Sequence, residues 1–146
     1  DFLREALFEL DAREAHMGIV LMSAEGLPLR YKLGFGAFNL GIRATKPLFP
    51  TAIGACLFST PETHRALQGF DEAIGLCEDC DYVLRGSKLA GTRLAILAPK
   101  FRFDPRRLEQ DGFFATGLIY LKANLLRMIR GELRNKEIAY PFGHYR

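Results

Sequence analysis

The residues best placed to do chemistry lie in one short window, Cys77-Glu78-Asp79-Cys80-Asp81. Two sulfurs separated by two residues can share a metal ion, or cycle as a redox pair where one thiolate is stabilised. A structural zinc site needs four ligands, however, and no second pair of this spacing exists; Cys56 and His64 would have to be recruited from a distance. The acidic neighbours also raise a thiol pKa, which opposes redox nucleophilicity. Cys77 and Cys80 are therefore weak metal candidates, and packed thiols are the simpler expectation.

Other windows carry less. Gly34-Phe35-Gly36-Ala37-Phe38-Asn39-Leu40-Gly41 has the glycines of a phosphate loop, but Asn39 stands where a dinucleotide fingerprint needs its third glycine, and no Gly-Lys-Ser/Thr follows. Ser59, Thr60 and His64 bring two hydroxyls and an imidazole close in sequence, without a Gly-x-Ser-x-Gly elbow or an evident orienting acid. Helix capping accounts for Ser59 and Thr60. Lys122 falls among Leu118, Leu125, Leu126 and Ile129 on a helical wheel. It is the candidate for a buried functional lysine, with a snorkelling side chain or buried ion pair as the plainer reading.

A different chemistry comes from the arginines. Arg102, Arg106 and Arg107 sit in an aromatic-interleaved stretch, and Arg127, Arg130 and Arg134 share one flank of a predicted helix. These six are the candidate contacts to a partner or anion. Other protein subunits are the first expectation for that partner, an anionic membrane surface the second, and nucleic acid ranks below both because no nucleic-acid motif is present. No sequence feature names a cofactor.

The whole-chain numbers frame these sites. With 146 residues, 49% hydrophobic and 25% charged, the chain is of ordinary globular composition, which excludes collagen-like and disulfide-dense classes. The length fits a single domain over residues 1–146. Its net charge of +3 conceals a division: residues 1–84 carry 7 Lys/Arg and 12 Asp/Glu (−5), residues 85–146 carry 13 and 5 (+8). Three cysteines are an odd number, which leans towards a reducing compartment or an organelle interior. Asp1 in place of an initiator Met is the expectation for a processed product or a piece of a longer protein. The richest apolar stretches, residues 33–58 and 113–129, are interrupted by Arg43, Lys46, Lys122 and Arg127, so a short hydrophobic hairpin or an interfacial segment fits them better than a membrane span.

The elements that must position these residues follow from periodicity. Leu3, Ala6, Leu7 and Leu10 predict a short N-terminal helix to about Arg13. Residues 16–22 and 27–33, joined by Ser23-Ala24-Glu25-Gly26, predict a β-hairpin. Glycines and prolines predict an irregular course over residues 34–50, followed by a buried strand or short helix over 51–58. Ser59-Thr60-Pro61-Glu62 predicts a capped central helix running to about Gly75. Residues 82–98, with a Gly86-Ser87 turn and Pro99 as terminator, predict a second hairpin. Asp104-Pro105 opens a helical turn, and Phe113 to about residue 134 forms a long basic amphipathic helix. An irregular aromatic tail completes the chain at about residues 138–146.

The fold class expected is thus α+β, a single small domain. The order helix, hairpin, buried run, helix, hairpin, long helix resembles that of PAS and GAF domains, which implies a small-ligand pocket and transfers no functional residue. The functional expectation is a non-enzymatic accessory or structural subunit of a larger, membrane-adjacent assembly, using its basic C-terminal half. A ligand-sensing domain and a small enzyme using Lys122 are the alternatives.

Overall fold

A computed structural model describes residues 1–133; of Arg107 it describes the backbone alone. The fold is α+β. Among the described residues six helices, α1 (Phe2–Ala12), α2 (Leu29–Thr45), α3 (Pro61–Leu67), α4 (Glu78–Lys88), α5 (Arg106–Asp111) and α6 (Phe113–Arg130), accompany strands β1 (Met17–Ser23), β2 (Leu57–Ser59) and β3 (Leu94–Arg102). The described residues divide into two compact units, residues 1–70 with 79–103, and residues 71–78 with 104–133.

The first unit is built around β1. Its continuous apolar run is buried on both faces, as a central strand requires. Sheet order is β2-β1-β3, with β2 antiparallel and β3 parallel to β1. The two-residue alternation of a strand sends Met17, Ile19 and Leu21 into one cluster with Ile42, Ala52, Tyr82 and Val83. Val20 goes to the opposite cluster, with Ala6, Leu10, Ala95 and Leu97. Gly18 lies on that second face because a Cβ there would meet Leu97 Cδ1 at 2.8 Å and Leu10 Cδ1 at 3.0 Å.

Neither predicted hairpin forms. Residues 29–45 are one helix, in which Tyr31, Phe35 and Ile42 repeat at helical spacing and are buried, while Gly36 and Gly41 face open space. The glycines are tolerated on the outer side rather than breaking the helix. Asn39 then substitutes for a strand partner: its Nδ2 donates to the Met22 carbonyl (2.9 Å) and its Oδ1 accepts from Met22 N (3.1 Å). Residues 82–88 belong to α4 instead of a strand, and Gly86 is a packing residue instead of a turn: a Cβ there would collide with Met17. β3 continues through Pro99 to Arg102, because it is an edge strand whose register shifts between Ile96 and Lys100 and so needs no amide at that position. The order on which the likeness to PAS and GAF domains rested is therefore not the order of this molecule.

The helix starts are closer to expectation. Thr60 caps α3, its Oγ1 accepting from Thr63 N at 3.3 Å with Pro61 in the first turn. The helix stops at Leu67, well before Gly75, since Gln68 and Gly69 both turn left-handed (φ 58° and 77°). The predicted N-terminal helix is α1. In the second unit, Asp104 Oδ1 accepts from Arg106 N (3.0 Å) at the start of α5, Gly112 (φ 86°) breaks the chain, and α6 follows as the long C-terminal helix. No described helix is long and apolar enough to cross a membrane. The predicted aromatic tail lies outside the described residues.

Candidate functional site

The long helix was expected to carry the partner contacts, and its side chains are arranged in reverse of the simple amphipathic rule. At about 100° per residue, Met128, Leu121, Phe114, Leu125, Leu118 and Ile129 fall in one arc roughly 100° wide. Yet all six are exposed, from 50% at Leu125 to 79% at Phe114. The buried line is Thr116, Ala123 and Arg127, on the opposite side.

Arg127 anchors that buried line. The residue is 1% exposed. Its Nε and Nη2 donate to the two carboxylate oxygens of Glu132 at 2.6 and 2.8 Å, and Nη1 donates to Asn124 Oδ1 at 3.1 Å. Asn124 is itself held by the Tyr120 carbonyl (3.0 Å). A planar guanidinium can be buried when a carboxylate meets it in this forked geometry. The hydroxyl of Thr116, three turns earlier on the same buried line, has no hydrogen-bond partner among the described residues.

Two site expectations are corrected by this geometry. Arg127 is not a surface contact but a buried, ion-paired residue. Lys122 is not buried but exposed, because the apolar arc it shares is itself the outer side of α6. Of the other candidates, Arg102 and Arg130 are exposed. Arg106 is exposed and paired with Asp104 at 2.6 Å. Its backbone amide, reinforced by its charge and side chain, holds the Asp104 carboxyl below the usual aspartate range. The side chain of Arg107 and the whole of Arg134 lie outside what the structure describes.

A second constellation forms in the first unit. Ser59 at the end of β2, His64 on α3 and Tyr82 on α4 are brought together by the packing of those elements. His64 Nδ1 lies 2.8 Å from Tyr82 Oη, Tyr82 Oη donates to Ser59 Oγ (3.0 Å), and Ser59 Oγ donates to the Thr60 carbonyl (3.1 Å). A carbonyl only accepts, so each hydroxyl proton is committed in turn, and His64 must donate from Nδ1. In the neutral ring Nε2 then keeps the lone pair. Phe70 stacks on the Tyr82 ring at 4.5 Å and meets the imidazole edge-on at 6.4 Å.

Chemically, this is a fixed imidazole acceptor on an exposed residue, and not a serine nucleophile with its base. Tyr82 stands between Ser59 and His64, and the serine proton points to a backbone oxygen. Ser59 and His64 were visible in the sequence; Tyr82, assigned there to a strand, was not. Its helical spacing from Glu78 and Arg85 was the available signal.

The cysteine window resolves into buried thiols. Cys77 and Cys80 are both buried, and Cys80 Sγ donates to the Ala52 carbonyl at 3.4 Å. Partial burial pushes the Cys56 thiol up from its ordinary value. Among the described residues no group of three or more His, Cys, Asp or Glu side chains could hold a metal ion. Compared with known proteins, the chain matches no family model, no curated protein and no solved structure.

Proposed function

We propose that this chain is a non-enzymatic accessory subunit of a larger protein assembly, seated on a partner protein by the outward face of α6. The observation that carries the reading is the inversion of that helix. Six large apolar side chains face outward while an arginine ion pair occupies the inner line. Contiguous exposed apolar surface of this kind marks interaction sites in folded proteins. Phenylalanine and methionine among the six suit the centre of a protein interface. α6 contains Lys122, Arg127 and Arg130 and no Asp or Glu, so the complementary partner surface is an apolar groove with an acidic rim. Exposed Lys122, at the edge of the apolar arc, would meet that rim.

The isolated chain should self-associate, and Leu118→Glu with Leu125→Glu should render it monomeric with an unchanged helical spectrum. Size-exclusion chromatography with light scattering reads both. A wild-type chain that runs as a monodisperse monomer overturns the proposal.

A further inference from the structure

We propose a second contact surface, on the first unit: the outer face of α2 lies along an anionic lipid bilayer. α2 is apolar on two opposite sides. Tyr31, Phe35 and Ile42 are buried in the core and fix its orientation. Leu29, Leu33 and Leu40 face away, each about two-thirds exposed (68%, 66% and 67%), and a Cβ added at Gly36 between them would meet open space. Just past the helix, Leu48 is 92% exposed.

The charges around this stripe are of one sign. From Gly26 to Pro61 the chain has no Asp or Glu, whereas Arg30, Lys32, Arg43 and Lys46 are all in or beside α2. On the helical wheel Lys32 and Arg43 border the leucines on one side and Arg30 on the other. Arg30 is held in place, its Nη2 donating to Tyr31 Oη at 3.2 Å with the guanidinium 4.8 Å over the ring. Leucines outward with cations along both edges is the pattern of a helix that rests at a bilayer surface, its apolar side among the acyl chains and its cations among anionic headgroups. The 17 residues of α2 span about 26 Å, less than a hydrocarbon core of roughly 30 Å. With its other face in the protein core, α2 lies along the surface and does not cross it.

The same charges disfavour a second copy as the occupant. Pairing α2 with its own copy would set Lys32 and Arg43 against cations, with no acidic residue on the helix to relieve them. The inference is independent of the role proposed for α6, so its test separates the two.

The chain lacks tryptophan, so Leu33→Trp supplies a single reporter. Its emission should shift to the blue with vesicles of phosphatidylcholine containing about a third phosphatidylglycerol, and not with phosphatidylcholine alone. In co-sedimentation, Leu33→Glu with Leu40→Glu should abolish binding, while Lys32→Gln and Arg43→Gln should each weaken it about fivefold. Leu118→Glu with Leu125→Glu should leave it intact. Circular dichroism establishes that each variant is folded. Wild-type protein that stays in the supernatant with anionic vesicles, or binds neutral ones equally, overturns the proposal. So does loss of binding in the α6 variant with retention in the α2 variant, which would make α6 the lipid contact. Saturable capture of a folded protein by α2, without vesicle binding, would identify a protein occupant and overturn it as well.

Discussion

α4 and α6 each carry an arginine ion pair and an apolar face, and they use them in opposite ways. In α4 the apolar residues Tyr82, Val83 and Leu84 are buried together with Asp81. Arg85 reaches across to neutralise that carboxylate (2.7 Å) and also donates to the Leu67 and Gly69 carbonyls at 2.8 and 2.9 Å. Those acceptors are left over where α3 ends, so one guanidinium satisfies a buried acid and a helix C-terminus at once. In α6 the arginine pair is buried and the leucines are outside. An apolar stripe therefore states that a helix needs cover, but not that its own chain supplies it.

The largest effects should come from breaking the two ion pairs. Arg127→Met strands Glu132 without its partner and should cost about 3–5 kcal/mol. Adding Glu132→Leu should recover most of that loss, since an apolar pair of similar volume avoids the desolvation of both charges. Arg85→Met should fall in the same range, with the added loss of two carbonyl bonds. Urea denaturation of the four proteins reads these differences. Full stability in Arg127→Met alone would remove the ion pair as the reason α6 sits with its polar line inward.

A middle-sized effect is expected at Gly86. Alanine favours a helix interior by up to about 1 kcal/mol over glycine. At Gly86, however, a Cβ collides with Met17, which is fully buried at the start of β1. Overpacking of about 1–3 kcal/mol should outweigh the propensity gain. Gly36→Ala on the open side of α2 should show the propensity gain alone, and the opposite signs of the two substitutions are the test.

These glycines also explain what could be read in the sequence and what could not. α1, β1, the Thr60–Pro61 cap, the break at Gly112 and α6 follow from single local signals that tertiary structure leaves intact. α2 does not, because leucines outside and aromatics inside cancel the one-sided periodicity that announces a helix, and its glycines look like breakers when viewed locally. Gly86-Ser87 imitates a turn for a reason found only in three dimensions, the proximity of Met17. The candidate site failed in the same way. Wheel geometry placed Lys122 and Arg127 correctly relative to the leucines, but which side faces inward depends on Glu132 and Asn124 meeting the guanidinium.

A smaller effect tests the polar chain of the first unit. Tyr82→Phe removes the link between His64 and Ser59 and should cost about 1 kcal/mol. The imidazole nitrogens offer a sharper reading by nitrogen-15 NMR. His16 Nδ1 accepts from Arg93 N at 3.1 Å, which puts its proton on Nε2, whereas His64 carries its proton on Nδ1. At a pH where both rings are neutral the two should show opposite tautomers, and Tyr82→Phe should release His64 alone. Identical tautomers in the wild type would contradict the proton assignment along Ser59, Tyr82 and His64.

The smallest expected effect bears most directly on the contrast between α4 and α6. Replacing a leucine in the middle of an amphipathic helix by glutamine ordinarily buries an amide in a core and costs several kcal/mol. On α6 that expectation inverts. Leu118 and Leu125 are 65% and 50% exposed, and glutamine matches leucine in helix propensity. Leu118→Gln and Leu125→Gln should therefore change stability by no more than about 0.5 kcal/mol each, as surface substitutions do. Measured in dilute solution, where self-association makes no contribution, a loss above about 2 kcal/mol would show that the chain covers this face itself. A near-zero change would leave the leucines without a role in holding the fold, and contact with another molecule is then the remaining use for six apolar side chains held in water.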